Sequence, residues 1–224
     1  MTIDAAAVAA NVADIRARIA AVGGNGVELV AVTKTFSFEA IIAATAAGCT
    51  SIGENYAQEL LAKLRDLPAM PTRPEVHFIG RIQSNKVRLL AGHVDVWQTV
   101  DRVDVLTEIA RRAPGARVFV QVNVDEDPAK AGCAVGDAAD IVGRACDRGL
   151  QVEGLMTIGR QGADAEVIAG FRALRQLADS LDLAGCSMGM SGDLELAIRA
   201  GATHVRVGSA LFGTRVRAER DALG

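Results

Sequence analysis

The sequence predicts an α/β protein: a single (β/α)8 barrel of the TIM type with one extra helix at its N-terminus. Three observations predict it. Short apolar runs alternate eight times with helix-like stretches along the 224 residues, and that alternation marks a parallel sheet wrapped by helices. Eight repeats at this length imply a closed barrel, with a doubly wound open sheet as the alternative. Against that alternative, no G-x-G-x-x-G follows the first strand segment, where a dinucleotide fold carries it. No linker rich in Pro, Gly or Ser divides the chain, so residues 1–224 are expected to form one domain.

The elements follow in order. Residues 3–22 are alanine-rich, carry charges at helical spacing and end before Gly23-Gly24, which predicts the opening helix. Strands are predicted near 27–32, 50–52, 76–79, 94–97, 117–123, 152–156, 185–188 and 203–207. Helices are predicted over 38–47, 55–66, 84–91, 102–112, 137–148, 165–182, 191–200 and 209–217. The segment 185–188 (Gly-Cys-Ser-Met) has the least strand character and rests on the alternation around it. The acid-rich Asp125-Glu-Asp-Pro128 reads as a loop after the fifth strand.

Composition narrows the function classes. The formal net charge is −3 with acids and bases interspersed, which is no footprint for nucleic acid. Cys49, Cys133, Cys146 and Cys186 form no C-x-x-C pair, and a chain this long needs no disulfide staples, so reduced thiols in a cytoplasmic protein are expected. His77, His93 and His204 are too scattered for metal-ligand spacing, and no metal centre is expected. The N-terminus has no cationic region before its apolar part, unlike a secretory signal. No uncharged apolar run is long enough to cross a bilayer.

In a barrel, chemistry gathers where strands end and βα loops begin. The first strand ends Leu29-Val-Ala-Val-Thr-Lys34. A lysine closing a buried strand is costly unless something nearby uses it. Its amine can be desolvated and attack a carbonyl. The chain has only four lysines, Lys34, Lys63, Lys86 and Lys130, and its other cations are arginines. The alternative reading is a lysine snorkelling from a strand end, and position alone does not separate the two.

The loops after strands seven and eight carry hydroxyls and glycines: Ser187-Met188-Gly-Met-Ser191-Gly192-Asp193, and Arg206-Val-Gly208-Ser209. Backbone N–H groups at helix starts attract anions, glycine permits close approach, and a barrel commonly places phosphate between these loops. The rival reading makes Ser191 and Ser209 ordinary N-caps, worth roughly 1 kcal/mol each. An amine opposite a phosphate cradle suggests a phosphorylated aldehyde, either pyridoxal phosphate or a sugar phosphate in a lysine-dependent aldolase. Arg206, on an inward position of strand eight, either faces a pyridine nitrogen or forms an internal salt bridge with Glu54 or Glu153.

Five collinear motifs carry a resemblance. They are Val32-Thr-Lys34; Gly53-Glu-Asn55-Tyr56 with Gln58-Glu59; His77-Phe-Ile-Gly80 with Gln83-Ser-Asn-Lys86; Ser187-Met188-Gly-Met-Ser191; and Val205-Arg206-Val-Gly208-Ser209 with Leu211-Phe-Gly213. In order and spacing, from about residue 28 to 213, the chain resembles the pyridoxal phosphate homeostasis proteins. The resemblance implies a barrel like the N-terminal domain of bacterial alanine racemase, with pyridoxal 5'-phosphate bound as a Schiff base on Lys34. It implies phosphate contacts from the Ser187-Met188 segment, Ser191, Gly208 and Ser209, and places near the ring for Arg206 and Asn55. It further implies cofactor handling, rather than catalysis, for Lys130. Ser209 stands where threonine is usual in that family and keeps the hydroxyl.

Racemisation needs a base on each face of the substrate carbon. Lys34 offers one, while Tyr56 and His77 are weak candidates for the other. The expectation is therefore a carrier or buffer of pyridoxal phosphate in vitamin B6 homeostasis, with no catalysis of its own. The alternative is a minimal amino-acid racemase, and a lysine-dependent aldolase comes third. Expected partners are the cofactor and PLP-dependent apoenzymes, with the protein a monomer.

Overall fold

The computed structural model describes residues 3–213. Eight parallel strands close into a barrel in chain order, the last pairing with the first. They are β1 (Glu28–Val32), β2 (Ser51–Glu54), β3 (Glu75–Phe78), β4 (Val96–Val100), β5 (Arg117–Gln121), β6 (Gln151–Met156), β7 (Gly185–Ser187) and β8 (His204–Val207). The helices are α1 (Ala5–Ala21), α2 (Phe38–Ala46), α3 (Ala57–Asp66), α4 (Ser84–Leu90), α5 (Val103–Arg112), α6 (Ala138–Asp147), α7 (Asp164–Ser180), α8 (Leu194–Arg199) and α9 (Ser209–Phe212).

Asp4 starts α1 by accepting the N–H groups of Ala6 and Ala7, a cap worth about 1 kcal/mol. The helix buries Val8, Val12, Ile15 and Ile19, one stripe at helical spacing. That stripe packs against α2, α8 and α9, over the side of the barrel where it closes.

Strand residues alternate between two environments, as a period of two requires. Ala31, Ile52, Phe78, Trp97, Val118, Leu155, Cys186 and Val205 face the helices in the main apolar core. Val96, Phe119 and Met156 form a second, separate cluster. His77, Gln98, Ser187 and Arg206 are buried polar residues at the same inward phase of their strands. The barrel centre is thus part apolar plug and part polar filament.

All eight predicted strands are present, and the differences lie at their ends. β2 keeps its register with β3 through Glu54 opposite Phe78, so Gly53 and Glu54 belong to the strand and not to the loop. β4 starts at Val96 instead of 94, because Val94 N–H closes the preceding turn on Leu90 O. β5 stops at Gln121, and Val122 instead bridges to Cys133. α8 starts at Leu194 instead of 191, because Asp193 Oδ1 accepts Met190 N–H at 2.5 Å and holds residues 190–193 in a turn. Of the last predicted helix, residues 214–217 lie outside the described residues.

Candidate functional site

A cavity of about 500 Å³ opens at the carboxyl ends of the strands, within the range of small-molecule sites. Lys34, Asn55, Ser191, Arg206, Gly208 and Ser209 all line it. Six predicted site residues from five loops and strands therefore meet in one place. Its apolar wall comes from Val32, Phe36, Ile79, Met156, Ile158 and Met190.

Lys34 sits half-buried in the turn that follows β1. Both flanking residues are clamped by a buried ionic cluster. Thr33 Oγ1 donates to Glu54 Oε1 at 2.6 Å. Lys63 Nζ donates to Thr33 O at 2.7 Å and pairs with Glu54 Oε1 and Glu59 Oε1, each at 2.6 Å. Glu59 Oε1 also accepts Thr35 N–H, and Thr35 holds φ +69°, the left-handed region that a non-glycine residue adopts only at a cost. Lys63 and Glu54 are 5 % and 0 % exposed. Burial pushes the Glu54 carboxyl up, and the Lys63 charge opposes it. Sequence reasoning missed this support, because Glu59 and Lys63 at i,i+4 in α3 read as an ordinary surface pair.

Arg206 forms no salt bridge with Glu54 or Glu153, which corrects that expectation. Glu54 is taken by Lys63, and Glu153 by Arg117. The guanidinium instead donates to Ser187 Oγ and to Thr157 O, both at 2.8 Å. Burial lowers its pKa to about 10, with the Asp193 charge pulling the other way. It remains a cation at neutral pH.

The two phosphate-type loops are tied together. Ser209 Oγ donates to Ser191 Oγ at 3.1 Å, and Ser191 Oγ accepts Ala210 N–H at 3.3 Å. Ser191 is therefore not the cap of α8, as the N-cap reading had it, and its hydroxyl serves the first turn of α9. From outside, α1 braces the loop through Arg18, which donates to Ser191 O and pairs with Glu195. Gly189 takes φ +91°, and a Cβ there would stand 2.5 Å from Ala197 Cβ. That position needs glycine twice over.

Asn55 reaches the cavity because Gly80 has no side chain: a Cβ at residue 80 would lie 2.0 Å from Asn55 O. Among the described residues Asn55 Oδ1 is buried without a hydrogen-bond partner, an unusual state for a polar atom and one that a ligand donor would relieve. The donor set suits pyridoxal phosphate: a primary amine, a guanidinium, two hydroxyls between glycines and an apolar wall.

Ser187 and Met188 do not line this cavity. Ser187 closes β7, and its hydroxyl is held by Arg206 and Gln98. Met188 packs in the core between sheet and helices. Lys130 stands on the loop after β5, paired with Asp125, with its Nζ 3.4 Å from the carbonyl of the lining residue Ile158. His77 and Tyr56 are not among the lining residues. Ile158 is a lining residue the sequence did not single out, since an isolated apolar loop residue carries no pattern, and Met190 lines the cavity from inside the Ser187–Ser191 motif, where sequence reasoning assigned it no role.

The chain matches the family described as "Alanine racemase, N-terminal domain" over residues 3–216. It is 41 % identical over 224 residues to the pyridoxal phosphate homeostasis protein of Pseudomonas aeruginosa, covering 93 % of this chain and 96 % of that one. Among solved structures it is similar to PipY of Synechococcus elongatus with PLP bound, at TM-score 0.81 and 34 % identity, over 92 % of this chain and 100 % of PipY. It is also similar to the alanine racemase of Streptomyces coelicolor, at TM-score 0.76 and 26 % identity. There the match covers 95 % of this chain but only 59 % of the racemase.

Proposed function

We propose a function from a premise of kinship: this chain belongs to the alanine racemase N-terminal domain family and, within it, to the pyridoxal phosphate homeostasis proteins. It binds pyridoxal 5'-phosphate and acts in vitamin B6 homeostasis as a carrier or buffer. The observation that carries this reading is the meeting of Lys34, Arg206 and the Ser191–Ser209 loop pair in one cavity. When bound, the cofactor supplies an aldehyde that condenses reversibly with a primary amine.

The chain's own residues divide the remaining work. Lys34 provides the amine, and the Lys63–Glu54–Glu59 cluster fixes the turn that presents it. Ser191, Gly208 and Ser209 offer hydroxyls and close backbone approach to a phosphate. Ser187 and Met188 contribute from beneath, through the strand that carries the loop. Arg206 would hold its guanidinium toward the ring of the cofactor, where a cation would disfavour protonation of the pyridine nitrogen and leave the ring a weaker electron sink. Asn55 offers its unpartnered amide oxygen.

The carrier reading is favoured over the racemase reading by the relatives' names. It is also supported by a described cavity lining without His, Tyr, Cys or carboxylate. In this reading residues 1–224 act as one cytoplasmic, monomeric domain. Lys130, beside the cavity wall at Ile158, handles the cofactor on its way to PLP-dependent apoenzymes.

Absorption and intact mass of the purified protein, before and after borohydride, test the assignment. The expected outcome is a visible band and a reduced pyridoxyl phosphate adduct on Lys34, both lost in Lys34→Ala. No adduct on the wild-type chain overturns cofactor binding. Rapid racemase or decarboxylase turnover by the same material overturns the carrier role.

A further inference from the structure

A filament of polar side chains runs through the barrel, and the proposed function leaves it unused below Ser187. From the cavity downward, Arg206 Nη1 donates to Ser187 Oγ at 2.8 Å, and Ser187 Oγ donates to Gln98 Oε1 at 2.7 Å. Gln98 Nε2 meets His77 Nδ1 at 2.6 Å, and His77 Nε2 lies 3.5 Å from Glu75 Oε2 at the floor. The inner four residues stand on four different strands and are 4 %, 0 %, 0 % and 1 % exposed, from Arg206 to His77.

Each bond has a forced direction. A guanidinium only donates, so Ser187 must accept from it. The Ser187 proton then goes to Gln98 Oε1. That turns the Gln98 amide N–H toward His77 Nδ1, which must accept, so the imidazole carries its proton on Nε2 and points it at Glu75. Reversing the Gln98 amide would give the Ser187 oxygen a second donor and strand its proton. From Arg206 to His77 Nδ1 the hydrogen bonds thus run in one direction, and the filament ends at His77 Nε2, which has no hydrogen-bond partner among the described residues and stands 3.5 Å from Glu75 Oε2. The fold makes room for it: the β4–β5 register shifts between Trp97 and Val100, the stretch that contains Gln98, and such irregularities re-aim side chains near sites.

We propose that Gln98 is a positioning residue which, with Ser187 and His77, locks the Arg206 guanidinium against the cofactor cavity and couples that cavity to the barrel floor. The proposal rests on the cofactor reading above and goes beyond it by assigning work to residues that touch no ligand. Coupling is reciprocal: what binds at Arg206 must be felt at His77. The charged and titratable groups facing His77 are Glu75 on its own strand, His204 on β8, Arg117 on β5 and Glu28 on β1, with Glu153 on β6 acting on His204 and Arg117. Burial keeps His77 neutral, pulling its pKa down to about 4, which suits an Nδ1 acceptor.

The test uses the full chain and pyridoxal phosphate itself, with two readouts: affinity from the visible spectrum, and the ring-nitrogen NMR signals of His77. In the wild type, adding the cofactor shifts the His77 signals. In Ser187→Ala that response disappears. Gln98→Leu weakens binding about tenfold and moves the absorption maximum. Gln98→Glu retains the acceptor for Ser187 and makes His77 Nδ1 the donor, so if Gln98→Leu does not fold, a His77 ring proton that stays on Nε2 in Gln98→Glu overturns the proposal. Unmoved His77 signals, or wild-type affinity and spectrum in Gln98→Leu, overturn this proposal while the Lys34 adduct still stands. Absence of that adduct in the wild type overturns the cofactor reading as well.

Discussion

At the carboxyl end of the strands the polar groups face a cavity, whereas at the amino end they face one another. On the floor Arg117 pairs with Glu75 and Glu153, Glu28 accepts the hydroxyls of Thr50 and Ser51, and His204 pairs with Thr203. At the mouth, among the described residues, Arg206 donates hydrogen bonds to neutral oxygens, the Asn55 amide oxygen has no hydrogen-bond partner, and two serines bond each other at 3.1 Å. The difference teaches where each end's polar free energy is committed. The floor spends its polar groups on holding the barrel closed, whereas the mouth turns its polar groups toward a cavity, as barrels with sites at the carboxyl end require.

The sharpest way to break this contrast is at the support behind the mouth. Lys63→Met removes a 5 %-exposed ammonium from between two carboxylates. Removing one partner of a buried pair strands the other charge, at a cost of about 3–5 kcal/mol. Urea unfolding at pH 7 should show that loss. The stranded Glu54 carboxyl, already pushed up by burial, moves further above its unfolded value. A carboxyl raised in this way contributes stability at low pH that disappears as pH rises, so the deficit should shrink on acidification. A pH-independent deficit would mean that Glu54 is not the group left uncompensated.

The sequence reveals the mouth more readily than what holds it. Lys34 is visible because a lysine interrupts a β-branched run, and Ser191, Gly208 and Ser209 because hydroxyls and glycines recur at the expected barrel loops. Their convergence follows from the predicted alternation alone. The Lys63 cluster is not legible, since its three members come from β2 and α3 and only the closed fold brings them to Thr33 and Thr35. Gln98 is hidden for a different reason. A lone glutamine within the strand Val-Trp-Gln-Thr-Val gives no sign of which side chains it will bridge. Ser187 shows the limit of motif reading: the segment is right, but its hydroxyl is committed one layer below the cavity.

Acid probes the floor. His77 has a folded pKa near 4 against about 6.5 when unfolded. The unfolded chain therefore binds the extra proton first, and stability falls as pH drops from about 6.5 toward 4. The full shift corresponds to about 3 kcal/mol. His77→Asn should flatten the stability profile by about that amount across this window and leave it unchanged above pH 7. Parallel profiles for wild type and variant would show that the floor does not keep His77 neutral at the expense of acid stability.

The same chemical change made at both ends gives the finest comparison. Ser209→Ala at the mouth deletes an exposed hydroxyl that donates to Ser191, so thermal stability should hold within about 0.5 kcal/mol. Its loss should appear in the affinity for pyridoxal phosphate, about fivefold for one hydrogen bond. Ser51→Ala at the floor deletes a buried hydroxyl that donates to Glu28 at 2.6 Å. It leaves a carboxylate partly unsatisfied and should cost about 1–2 kcal/mol of stability, with cofactor affinity unchanged. The two variants thus exchange readouts. If Ser209→Ala lowered stability and left affinity intact, the mouth would be bonded to itself for structure in the same way as the floor, and the division of labour between the two ends would fail at the residue where it is easiest to see.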